Sequence, residues 1–107
     1  MAGSTEAFEV ELEARGGELW VLPRGDLDLA AAPELRESLG LALRSDADAV
    51  VVDLRGLDFL DSTGLKALVE AHAGPNGHRV SFVRGNSMIE QVLQVSHLDG
   101  ELRFRAP

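Results

Sequence analysis

Residues 49–65 read Ala49-Val50-Val51-Val52-Asp53-Leu54-Arg55-Gly56-Leu57-Asp58-Phe59-Leu60-Asp61-Ser62-Thr63-Gly64-Leu65. The opening run is short, continuous and β-branched, the pattern of a central strand covered on both faces. Leu65, Leu68, Val69 and His72 then recur at helical spacing, up to the breaker cluster Gly74-Pro75-Asn76-Gly77. Leu54 to Leu60 bridges strand and helix, and Asp61 or Ser62 can cap the helix.

Upstream, Pro33 followed by Leu35, Leu39, Ala42 and Leu43 predicts a helix ending near Arg44. Before it, Phe8 to Ala14 alternates apolar residues with Glu9, Glu11 and Glu13, and Arg15-Gly16-Gly17 turns the chain into Glu18–Leu22. This pair, holding the single tryptophan Trp20, predicts an edge hairpin. Its glutamates, with Glu6 and Glu18, are read as a solvated strand face that can steer a basic partner. Downstream, His78 to Val83 predicts a strand. Ser87 and Glu90 fit a capping box for a third helix through Met88, Ile89, Val92, Leu93 and Ser96, and Leu102 and Phe104 predict a short last strand.

The expected order is therefore β-β-α-β-α-β-α-β, an α/β fold with a mixed, mostly parallel sheet of about five strands and three helices. All 107 residues are expected to form one domain, with residues 1–7 as a flexible N-terminus. Function in such sheets lies past the C-terminal strand ends. Here those ends lead to Asp26 and Asp28, to the segment from Leu54 to Thr63, and to Arg84–Ser87.

Composition narrows the chemistry. With 18 acidic and 10 basic residues the net charge is −8, and the excess lies wholly in the first half: 12 acids against 4 bases through Asp53. Nucleic acid and anionic lipid repel such a chain, whereas a basic protein surface attracts it. There is no cysteine, which excludes disulfides, thiolate metal sites and cysteine nucleophiles. No leader-like or membrane-length apolar run occurs, so a cytoplasmic protein is expected.

Two features of the quoted stretch point beyond a capped helix. Gly64 falls in the first helical turn, where glycine costs about 1 kcal/mol relative to alanine, so something is expected to approach the backbone closely. Ser62 and Thr63 also set adjacent hydroxyls on free backbone N–H donors beside Asp58 and Asp61. A phosphate there would gain from the helix terminus and suffer from the carboxylates.

Other chemistries fit less well. Asp26-x-Asp28 is similar to the nucleophile pair of aspartyl-phosphate phosphotransferases, but Lys66 is the only lysine. Asp61-Ser62-Thr63-Gly64 places its glycine one residue too late for an aspartic protease. His72, His78 and His97 lack ligand spacing, and a Ser62 hydrolase using a histidine would lack the usual nucleophile elbow. The glycine-rich loop at 74–77 has no phosphate-binding lysine.

From Val50 to Leu68, with its Asp61-Ser62-Thr63-Gly64-Leu65 core, the chain resembles the signature of the STAS domain, specifically the small stand-alone anti-sigma factor antagonists. Gly25-Asp26-Leu27-Asp28 resembles that family's second common motif. The resemblance implies a STAS-like, non-enzymatic protein that binds an anti-sigma factor, usually a serine kinase of the histidine-kinase-like ATPase type, and thereby releases a sigma factor. It implies phosphorylation at Ser62, which abolishes binding until a phosphatase restores it. Thr63 and Gly64 match the following motif positions, and Asp28 or Asp26 matches the aspartate beside the switch.

The partner-binding residues expected on this basis are Asp26, Asp28, Asp58, Asp61, Ser62, Thr63, Gly64 and Lys66, with no cofactor and no metal. Many members carry a C-terminal helix for which Pro107 leaves little room, so the sheet face it would cover is expected to be less protected. Other STAS domains serve as constitutive scaffold subunits of lipid or anion transporter complexes, which is the alternative function.

Overall fold

The computed structural model describes residues 8–98 and 100–107; the expected N-terminal flexibility of residues 1–7, and Glu6 with it, lies outside the described residues. The chain runs β1 (Phe8–Arg15), β2 (Glu18–Leu27), α1 (Ala32–Arg44), β3 (Ala49–Asp53), β4 (Leu57–Leu60), α2 (Ser62–Ala73), β5 (Val80–Val83) and α3 (Ser87–Val95). Single 3-10 turns at Leu54–Gly56 and Gly77–Arg79 precede β4 and β5. The sheet order is β1-β2-β3-β5, with β4 paired to β2, and only β1 runs antiparallel to its neighbour.

The α/β class, three helices and five-strand mixed sheet agree with the sequence, while the order differs in two places. Leu57–Leu60 is a strand rather than a bridge, and the last strand reduces to one parallel bridge, Phe82 with Phe104. Both differences come from long-range pairing. Strand β2 does not stop at Leu22 but continues to Leu27, holding β3 along its first half and β4 along its last residues. Pro23, which has no N–H to give, falls in the gap between those two neighbours, where no ladder bond is required. Gly25 (φ 97°) sits where the register shifts, so the strand bulges at the residue that can adopt that backbone.

All three helices cover one face. Val21, Val50, Val52, Val80 and Phe82 point into a core closed by Leu35 and Leu39 of α1, Leu65 and Leu68 of α2, and Ile89 and Leu93 of α3. The third helix is capped one residue earlier than expected. The Asn86 carboxamide, not Ser87, accepts the Ile89 N–H (2.9 Å), and the Glu90 carboxylate reaches back to the Gly85 N–H (3.0 Å).

No described helix covers the opposite face, yet Trp20 there is only 3% exposed. It packs with Leu22, Val51 and Val83, and the Arg15 and Arg105 guanidinium carbons stand 4.0 and 5.3 Å from its ring centroid. Glu18 accepts both the Trp20 indole N–H (3.1 Å) and Arg105 (2.6 Å), which together hold its carboxyl below the usual range. Arg24 pairs with Glu9 and Glu11, Arg15 with Glu13, and Arg55 with Asp53. Exposed pairs contribute only about 0–1 kcal/mol each. Most of the gain comes instead from arginine stems removing the indole from water, so on the face expected to be less protected Trp20 is covered by side chains rather than by a helix.

Among the described residues, Asp53 is the one charged residue of this face that is buried. Burial pushes its carboxyl up, but the Arg55 guanidinium and backbone N–H donate to it at 2.8–3.3 Å and hold it below its ordinary 3.8. A carboxylate depressed by folding adds stability above its unfolded pKa and loses it as pH falls through the folded one. Arg55→Gln is expected to destabilise the fold at pH 7, by less than the usual loss for a broken buried pair because Arg55 is half exposed. In urea titrations the difference from wild type should shrink as pH falls below 3.8 and the Asp53 carboxyl takes up its proton. A penalty that persists in acid would assign Arg55 a packing role instead.

Candidate functional site

The C-terminal ends of β2 and β4 and the start of α2 meet at Asp61. Its backbone is extended (φ −104°, ψ −177°), its N–H donates to the Leu27 carbonyl (3.2 Å), and its carboxylate does two jobs. Oδ1 caps α2 by accepting the Gly64 N–H (2.9 Å), while Oδ2 accepts the Leu29 N–H (3.2 Å) from the loop after β2. Asp61, rather than Ser62, is the cap. Asp28 organises the same loop from the other side, its Oδ1 accepting the Ala31 N–H (3.0 Å) and its carbonyl accepting from Ala31 and Ala32.

The expected residues are largely brought together. Parallel register sets Asp26 beside Phe59 and Leu27 beside Leu60, so the two aspartate motifs lie on adjacent strands. Asp26 is inside β2 rather than beyond it, and Asp28 lies just past its end. Both are half-buried, Asp58 is exposed, and α2 opens with an exposed Ser62, a half-buried Thr63 and, one turn on, an exposed Lys66. Among the described residues nothing hydrogen-bonds the Ser62 hydroxyl.

Gly64 requires a correction. It is buried, and a Cβ there would lie 2.4 Å from the Leu27 carbonyl oxygen and 2.6 Å from Leu27 Cγ. The close approach inferred from sequence is made by the chain's own strand β2, so Gly64 positions the helix and is not a docking residue.

The sequence reading missed three apolar side chains at this end. Leu29 is 70% exposed, Met88 54% and Phe59 44%. Leu29 is in the loop that Asp61 holds, Phe59 is beside Asp26, and Met88 opens α3, whose cap Asn86 also donates to the Leu57 carbonyl (3.2 Å). Exposed apolar residues within an acidic rim have the make-up of a protein-docking patch. Leu29 and Phe59 belong to no periodic run, and the helical run that includes Met88 does not mark it as exposed.

Two of the three histidines lie away from Ser62. His72 stands ten residues along α2, about 15 Å away. His78 lies at the far pole, on a depression of about 870 Å³. The arginines of that depression are already engaged: Arg79 with the Leu43, Ser45 and Ala47 carbonyls, Arg103 with those of His78 and Val80, and Arg105 with Glu18. Among the described residues no group of three or more His, Asp or Glu is placed to hold a metal, and no helix is long and apolar enough to cross a membrane.

Residues 11–104 match the family described as "Mlab, STAS domain". The chain belongs to the STAS domain family. This STAS domain is 33% identical over 82 residues to the anti-sigma-F factor antagonist RsfB of Mycobacterium tuberculosis, in strains CDC 1551 / Oshkosh and H37Rv alike. The match covers 75% of the chain and 66% of the length of those relatives. Its fold is that of an anti-sigma factor antagonist from Mycobacterium paratuberculosis (TM-score 0.82, 24% identity, 95% of this chain and 87% of that one). It is also that of the antagonist SpoIIAA in its unphosphorylated form (TM-score 0.68, 21% identity, 92% and 89% of the two chains).

Proposed function

We propose that this STAS domain is a cytoplasmic anti-sigma factor antagonist, a binding protein rather than an enzyme. With Ser62 unphosphorylated, the surface formed by Asp26, Asp28, Asp58, Asp61, Ser62, Thr63 and Lys66 binds an anti-sigma factor that is a serine kinase, and a sigma factor is released. Leu29, Phe59 and Met88 supply the apolar anchors of that dock. The kinase phosphorylates Ser62, binding is lost, and a phosphatase restores it; the Mg-ATP belongs to the kinase.

One observation carries the reading: an exposed Ser62 hydroxyl, unbonded by any described residue, at the first position of a helix that Asp61 caps and ties to the Leu29 loop. A phosphoryl group there adds about −1.5 to −2 charge beside the carboxylates of Asp26, Asp28, Asp58 and Asp61. Both repulsion and the cost of desolvating that charge then oppose a partner that has to bury the patch.

Affinity capture with wild type, Ser62→Ala and Ser62→Asp, with mass spectrometry of partner and phosphosite, tests this. Wild type and Ser62→Ala are expected to retain the same histidine-kinase-like ATPase. Ser62→Asp is expected to bind it at least ~10-fold more weakly. Equal retention by all three baits, or a transporter subunit on each, would establish the constitutive scaffold reading, which the family's description as "Mlab, STAS domain" favours.

A further inference from the structure

The sheet has unequal edges. On the β5 side, residues 103–105 cover the edge: the Phe82 N–H donates to the Arg103 carbonyl (2.8 Å) and the Arg105 N–H to the Phe82 carbonyl (2.9 Å). On β4, the Asn86 side chain satisfies the Leu57 carbonyl. On β1, eight residues long, no described residue other than those of β2 pairs with the backbone. An unpaired edge of that length is a template for another strand, and natural proteins manage such edges with charge.

The charges on this edge select what can pair with it. Glu9, Glu11 and Glu13 share the Trp20 face of the sheet, with side chains 63%, 59% and 51% exposed. A second copy adding antiparallel through β1 has to keep its faces aligned with those of the first. Residues of like parity then stand opposite, Glu11 against Glu11 or Glu9 against Glu13, and like charges directly opposite oppose pairing. An incoming strand with lysine or arginine at those positions meets the reverse situation. Each glutamate would then lie between a cation on the new strand and one of the arginines, Arg24 or Arg15, that it already contacts. On the other face, the 40%-exposed Leu12 offers such a strand apolar contact.

We propose that the outer edge of β1 is a second docking surface, separate from the Ser62 end, which takes an extended segment of a partner protein with basic residues at alternate positions and apolar ones between. Backbone pairing supplies the binding and the glutamates supply the selection.

The test titrates the ¹⁵N-labelled full chain with a seven-residue peptide alternating lysine and valine, and separately with its glutamate–valine counterpart. The lysine peptide should shift the amide signals of Phe8–Arg15 and slow their hydrogen exchange, and the glutamate peptide should not. Glu9→Lys/Glu11→Lys/Glu13→Lys is expected to weaken the lysine peptide about 10-fold or more and to admit the glutamate peptide. Ser62→Asp should leave binding at β1 unchanged, which separates this proposal from the phosphoswitch. Three outcomes would overturn it: no response of β1 to either peptide, a lysine-peptide response confined to the aspartates around Ser62, or β1 shifts that depend on protein concentration alone and so report self-pairing.

Discussion

Gly64→Ala is expected to lower the thermal midpoint by roughly 10–20 °C, equivalent to about 3 kcal/mol in a domain of this size. An alanine methyl would stand 2.4 Å from the carbonyl oxygen of Leu27, a distance that real Cβ atoms essentially never show. Relief by movement is blocked on both sides. Leu27 is fully buried and its carbonyl accepts the Asp61 N–H, while Gly64 itself donates to the Asp61 carboxylate. To admit the methyl, α2 has to move off the sheet, giving up the cap and the Leu29 anchor. Gly100→Ala is the control, because an added methyl there meets nothing within 4 Å. Circular-dichroism melts of the two variants decide the matter. A Gly64→Ala midpoint within about 2 °C of wild type, less than a 1 kcal/mol loss produces, would mean that helix and strand slide apart freely.

Phe82→Ala is expected to cost about 3–5 kcal/mol, the range for deleting a buried aromatic ring. Phe82 is fully buried in the centre of β5, and its ring lies 6.2 Å from that of Phe104 at a tilt of 53°. Because total stabilities run to only about 5–15 kcal/mol, the variant should be close to unfolding at 37 °C. Phe82→Leu, which fills much of the same space, should lose less than half as much. Urea midpoints measure both. A Phe82→Ala loss below about 1.5 kcal/mol would show that neighbouring side chains collapse into the space. The same substitution removes the ring against which Phe104 packs, so the amide of Arg105 should exchange faster in the alanine variant than in the leucine one.

The parts of the fold legible in the sequence are those decided locally. The unbroken Ala49–Val52 run, the period of α1 beginning at Pro33 and the Gly16–Gly17 turn each carry their own signal, and each element appears where that signal puts it. Strand β4 carries none. Four residues with Asp58 among them are too few for periodicity, and they are extended because the end of β2 offers them a partner. The apolar run of β2 stops at Leu22, before Pro23 and Gly25, which both disfavour ladders, and only the two-neighbour arrangement around β2 carries the strand past them.

At the site the division is similar. Asp61 as a cap follows from composition, whereas its second bond, to the Leu29 N–H, joins residues 32 apart and leaves no local trace. Gly64 was informative in the right way for the wrong neighbour: the sequence said that something comes close, and only the packing says that it is Leu27. Leu29, Phe59 and Met88 carry no docking signal in the sequence because exposure, not identity, makes them unusual.

Trp20 gives the molecule a built-in optical probe. It is the chain's single tryptophan and the chain has no tyrosine, so selective excitation of indole reads one position. That position is seven residues up β2 from Leu27, about 23 Å along the strand. The indole is shielded by Arg15 and Arg105, which arrive from opposite ends of the chain. Its emission should therefore redden when either guanidinium lifts away and stay constant through events confined to the Ser62 pole. Wavelength can thus separate what happens at the two ends of the sheet.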